Sequence, residues 1–185
     1  MSVYQINLGR LHRDSLLGLI NHDNAATIIT PLTTAEVELS ANTKLEDGNY
    51  TALVTNKAYT SDTVTVTYTK LSLGDFVTMT VDGGDFDWYA PDDWNDATSV
   101  PAALASFKAA ALRDGVNPDA AFDSITITRR FDEVSNHFML IVTVSSYVWK
   151  EVVEFQMPKH FSEVIDVTDM NGFTFTPIAL ESVIG

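Results

Sequence analysis

Six aspartates crowd one stretch of this chain, Asp82, Asp85, Asp87, Asp92, Asp93 and Asp96, beside Gly83-Gly84. Carboxylates gathered on a turn suit a hard cation such as Ca²⁺, which takes about six to eight oxygen ligands. The spacing departs from the D-x-[DN]-x-[DN]-G loop, and no glutamate completes a shell. Asp82, Asp85 and Asp87 are therefore weak metal candidates only. The preferred reading is a solvated linker whose carboxylates suit turns and helix starts.

The same stretch carries Phe86, Trp88, Tyr89 and Trp94. Aromatic rings in an acidic setting can stack on a sugar or anchor a protein partner. Phe86 and Trp88 read as filling a seam between neighbouring parts of the fold. Trp94, flanked by Asp92-Asp93 and Asn95-Asp96, reads as an exposed anchor. Other chemistry is thin. The chain lacks the GxxxxGK[ST] and GxGxxG phosphate loops and the GxSxG nucleophile elbow. His12, His22, His137 and His160 share no metal-ligand spacing. Acidic residues are plentiful, yet no spacing singles out two that would flank a glycosidic bond. The expectation is a non-enzymatic protein without a cofactor.

Charge narrows the partners. Against 25 acidic residues stand only 11 basic ones, a net charge of -14, and the closest basic pairs form no stripe. Phosphate binding needs clustered Lys and Arg, so a nucleic-acid partner is not expected. With no cysteine, neither disulfides nor thiolate metal sites hold this fold. No apolar run reaches the roughly 18 residues that would span a bilayer, so no membrane partner is expected. The N-terminal residues do not read as a secretion signal.

These residues need a frame, and periodicity supplies one. Met1 to Leu8 alternates loosely as an extended arm. Asp14 or Ser15 can cap a short helix to Asn21, with Leu16, Leu17, Leu19 and Ile20 as its stripe. Thr30-Pro31 disfavours helix, and strands are predicted over Ala35 to Ser40, Tyr50 to Thr55 after the Asp47-Gly48-Asn49 turn, and Thr63 to Thr69. The last alternates strictly, with Val64, Val66 and Tyr68 on a face predicted to be buried. Ser99 can cap a second helix from Val100 to Asp114, stopped by Gly115. Strands are then predicted over Ser124 to Arg130, Phe138 to Val144 and Tyr147 to Gln156. The middle one is apolar enough for burial on both faces. Asn171-Gly172 predicts a C-terminal hairpin between Val164 to Val167 and Phe173 to Phe175.

The chain also echoes itself. Val54-Thr55, Tyr59 and Val64 recur 88 positions on as Val142-Thr143, Tyr147 and Val152. Pro31 with Val37 and Leu39 is answered by Pro118 with Ile125 and Ile127. The predicted fold is α+β and β-rich: two tandem helix-plus-three-strand units packed together, with a C-terminal β-hairpin. The divisions are 1–80, a connector 81–98, 99–157, and a tail 158–185.

The first unit resembles a domain recurring in virion proteins of large, contractile-tailed bacteriophages. The resemblance rests on Leu19, Ile20, Asn21 and Asn24 in the helix, then Asn49, Val54, Thr55, Tyr59, Val64, Val66, Tyr68 and Leu73. It covers roughly residues 11 to 75 and departs at Ser61-Asp62, where a glycine is common, and at Lys70, which stands for an arginine. It implies a structural component of the tail, baseplate, neck or head surface, assembled in the host bacterial cytoplasm with other virion proteins in homo- or hetero-oligomers. It carries over no catalytic residues. The expected contact residues are Val3, Tyr4, Ile6, Trp88, Tyr89, Trp94, Ile178, Leu180, Val183 and Ile184. A receptor- or glycan-binding module of the particle, using Trp88, Tyr89 and Trp94, is the alternative.

Overall fold

The computed structural model describes residues 4–81, 84–86 and 94–158. It is a mixed helix-and-sheet fold with two antiparallel three-stranded sheets, ordered β1-β2-β3 and β4-β5-β6. Helix α1 (His12–Asp23) precedes β1 (Val37–Lys44), β2 (Tyr50–Asn56) and β3 (Thr63–Tyr68). A 3₁₀ turn at Leu73–Asp75 follows, then α2 (Asp96–Arg113), α3 (Pro118–Ala121), β4 (Ser124–Asp132), β5 (His137–Ser145) and β6 (Val152–Gln156).

Helix α1 buries Leu16, Leu17 and Ile20 against Val37 and Leu39 of β1 and Ala52 and Val54 of β2. It covers two strands and stops short of the third. Val64 on β3 is 60% exposed, and Val66 and Tyr68 are only partly buried. The predicted buried face of β3 is thus corrected: the apolar side of the sheet overhangs its helix.

The larger core lies under α2. Ala103, Phe107, Ala110 and Ala111 pack onto Ile127 of β4, Leu140, Val142 and Val144 of β5, and Val153 and Phe155 of β6. Alanine on one helical face lets the backbone approach the sheet closely, and Phe107 fills the remaining space beside Phe122 and Phe155. Burial on β5 alternates, with Thr143 and Ser145 exposed, so the expectation of two buried faces is corrected. The helix layer covers only one side of this sheet.

Other boundaries also moved. Helix α2 starts at Asp96, because the Asn95 side chain caps it by accepting from the Ala97 N–H at 2.9 Å. Ser99, expected as the cap, instead accepts the Asn95 N–H on its Oγ. Pro101 therefore sits inside the helix rather than at its start. Helix α1 begins three residues earlier than expected, without a side-chain cap. The third strand of the second sheet is shorter than predicted. Residues Tyr147 to Glu151 form a loop that leaves the sheet and reaches across to the first one. The predicted C-terminal hairpin lies outside the described residues.

Sheet register preserves the echo in detail. Leu39 pairs with Val54 and Val37 with Asn56, while Ile127 pairs with Val142 and Ile125 with Val144. Each partner in the second sheet lies 88 positions beyond its counterpart. The second hairpin slips by one: Val54 faces Val64, but Val142 faces Val153. The echoed tyrosines part company too. Tyr59 is 70% exposed in its turn, whereas Tyr147 is buried among the residues packed under α1.

Candidate functional site

Among the described residues, several ionisable groups meet at the seam where the β5–β6 loop crosses to the first sheet. Backbone pairing builds its floor. Leu71 N–H donates to the Val148 carbonyl at 2.8 Å, and Lys150 N–H donates to the Leu71 carbonyl at 2.9 Å. This short bridge places Trp149 beside Leu71 and buries the indole to 2% exposure, edge-on to Phe76. Ser146 turns the loop, its Oγ accepting the Val148 N–H. From β1, Asn42 Nδ2 donates to the Ser146 carbonyl at 2.6 Å.

Lys70 enters the seam from the end of β3. Its side chain is 1% exposed, and its Nζ donates to Glu151 Oε1 at 2.8 Å while lying 4.2 Å from the Tyr50 ring centroid. Tyr50 donates its hydroxyl to the other carboxylate oxygen, Glu151 Oε2, at 2.6 Å. Burial pulls the Lys70 ammonium below its ordinary value, and the Glu151 contact only partly restores it. Burial likewise pushes Glu151 up, but the hydrogen bonds from Lys70 and Tyr50 outweigh it and hold the carboxyl below its usual value. The Tyr50 hydroxyl is pushed up to about 12, by burial first and then by its bond to Glu151.

At the other end of the seam stands His12, 5% exposed on the first turn of α1. Its Nδ1 accepts the Tyr147 N–H at 3.0 Å, and its ring stacks on Tyr147 with centroids 5.5 Å apart. Nε2 lies 3.2 Å from Asp123 Oδ1, which also pairs with Arg13.

A buried lysine beside a carboxylate and a phenol can serve proton transfer or imine formation, provided a substrate reaches it. The cavity of about 160 Å³ lined by Tyr4, Ile6, Leu16, Tyr68 and Tyr147 among others does not include Lys70, Glu151 or Tyr50 in its lining. The arrangement joins chain segments that are far apart in sequence.

The acidic candidates resolve differently. Asp85 is buried, bonded through both carboxylate oxygens to Arg113 Nη1 at 3.0–3.2 Å, and accepts the Thr80 N–H. Arg113 also bonds Asp114, whose carboxyl is held at about 2 by that guanidinium and by the Thr78 N–H. Asp85 thus ties the connector to the end of α2. Asp82 and Asp87 lie outside the described residues, and no metal-competent cluster of His, Asp or Glu exists among the described ones.

Phe86 joins the larger core at 5% exposure. The exposed-anchor reading of Trp94 is corrected. It is half-buried against that core, donates Nε1–H to Asp96 at 2.7 Å, and has the Arg129 guanidinium 4.9 Å from its ring centroid. Tyr4 and Ile6 fold back on the molecule: Tyr4 crosses α1 at Gly18, where a Cβ would overlap its ring, and Ile6 packs on the larger core. Val3, Trp88, Tyr89, Ile178, Leu180, Val183 and Ile184 lie outside the described residues.

The seam residues carried no sequence signal. Lys70 and Glu151 are 81 positions apart, and His12 and Tyr147 are 135 apart. The bridge at Leu71 and Trp149 and the Asn42–Ser146 hydrogen bond bring them together. No helix among the described residues is long and apolar enough to cross a membrane. No family model, curated protein or solved structure matches the chain.

Proposed function

We propose that this chain is a non-enzymatic structural component of a bacteriophage virion, built from two diverged helix-plus-three-strand copies and acting through contacts with other virion proteins. The observation that carries the assembly reading is the outer edge of β3. Among the described residues, β3 pairs only with β2, and its Thr-Val-Thr-Val-Thr-Tyr sequence has no charge, proline or bulge to blunt the free edge. Protein surfaces ordinarily protect such an edge, because its unpaired N–H and C=O groups recruit another strand. Val64 and the overhanging apolar face beside it offer side-chain burial to whatever pairs there.

The duplication is supported by the shared register of the first hairpin in each sheet and by the helix preceding each sheet. The virion assignment rests on the resemblance of residues 11 to 75, which form α1 and the β1–β3 sheet together with the strand-to-turn segment after it. The ionisable groups of the seam are satisfied by one another, in keeping with a scaffold.

Replacing Val64 with lysine tests the edge. The side chain is largely in water, so folding stability should change by no more than about 0.5 kcal/mol in urea titration. A charge trapped at a docked edge costs more than about 1.4 kcal/mol, so incorporation of Val64→Lys into particles should drop on the order of tenfold. Unaltered incorporation of a folded variant would remove β3 from the contact surface.

A further inference from the structure

His12 links the start of α1 to a loop of the second sheet, and it can do so in only one protonation state. Because Nδ1 accepts the Tyr147 N–H, it carries no proton; the ring hydrogen sits on Nε2 and points at Asp123 Oδ1. An imidazolium is a donor at both nitrogens, and its Nδ1–H would meet the Tyr147 N–H donor to donor. The contact is nearly sealed from water, so a lost acceptor is not replaced by solvent without movement.

We infer that His12 is a pH-sensitive latch between α1 and the β5–β6 loop, closed by the neutral imidazole and opened when the ring takes a second proton. Four elements face it. Asp123, at the junction of α3 and β4, favours the charged ring, while Arg13 on α1 and Lys70 beyond β3 oppose it. Tyr147 from the β5–β6 loop supplies an uncharged ring, itself influenced by Arg13, Asp123 and Glu38 of β1. Burial is the largest effect and sets the outcome: the folded ring holds its proton less tightly than a free imidazole. A depressed folded value means that the latch is fully closed above the unfolded value of 6.5 and is lost as pH falls through the folded one. Acidification would thereby loosen α1 from the β5–β6 loop while both sheets stay paired. This inference stands on the seam geometry and is independent of the virion reading.

Amide exchange of the full chain, corrected for intrinsic rates, tests it between about pH 7 and about pH 5, above the range where the carboxylates titrate. Protection of the Tyr147 amide should fall by up to about tenfold per pH unit below 6.5, the slope of one linked proton. Protection of Leu140, in the core of β5, should hold level. In His12→Asn, an oxygen near the Nδ1 position accepts the same N–H without titrating, and the Tyr147 profile should be flat. Level protection at Tyr147 in the unaltered chain, or an equal fall in His12→Asn, would overturn the latch. Should the variant not fold, the imidazole resonances of the unaltered chain decide: a ring protonated at or above pH 6.5 contradicts it, and one neutral well below that supports it.

Discussion

Phe107→Ala lowers the free energy of unfolding by about 3–5 kcal/mol, measured as a shift in urea midpoint at constant slope. Phe107 is fully buried and sits between Phe122 and Phe155, at ring-centroid distances of 6.2 Å to each. Its neighbours on α2 are Ala103, Ala110 and Ala111, which have no side-chain reach with which to collapse into the vacancy. The lost transfer free energy is therefore joined by a nearly full cavity penalty. A domain of this size is stable by only about 5–15 kcal/mol, so the variant stands near the edge of folding at room temperature. A loss below about 1 kcal/mol would mean that α2 does not pack on β4–β6 as described.

The second large effect is asymmetric. Glu151→Ala leaves the Lys70 ammonium buried without its counter-charge and should cost about 3 kcal/mol, the lower end of the range for a broken buried pair. The lower end applies because the Glu151 side chain is 41% exposed and its removal admits some water. Lys70→Met should cost less than about 1 kcal/mol, since the methionine fills the stem's volume and Glu151 retains the Tyr50 hydroxyl and solvent. The pH dependence has a definite sign. Glu151 is held below its unfolded value of 4.5, so its contribution is complete above pH 4.5 and disappears as pH falls through the folded value. Glu151→Ala should lose that acid-side component of the stability curve. Equal costs for the two single variants would contradict the one-sided burial of the pair.

Local structure was legible wherever a residue's role depends on its immediate neighbours. Strict alternation from Thr63 to Tyr68 locates β3, and Asp47-Gly48-Asn49 locates the turn between β1 and β2, where Gly48 adopts φ +85°. The residues of the 88-residue echo take matching register positions in the first hairpin of each sheet. Burial was less legible, because it depends on how far a helix extends over a sheet. Nothing in Val64 itself says that α1 ends its cover at β2. The start of α2 was misplaced because Ser99 was read as the cap, whereas the Asn95 side chain reaches the Ala97 N–H.

The seam was silent in the sequence for a physical reason. Lys70 lies among threonines and leucines at the end of a strand, a position that reads as a solvated edge. Its burial arises only because the β5–β6 loop, 81 positions away at Glu151, pairs across it. Tyr147 reads as the counterpart of Tyr59, yet one is buried under α1 and the other stands in water. The connector aspartates read as a solvated linker, and only weakly as a cation turn, yet Asp85 is buried and holds the guanidinium of Arg113.

The most direct test of the proposed virion role is quantitative mass spectrometry of tailed-phage particles purified from cells that produce this chain. As a structural component, this chain is expected in the particle at a fixed copy number that is a multiple of a symmetry ring, unchanged by repeated purification. Its absence from particles, or a variable trace amount that washes away, would contradict a structural role in the virion.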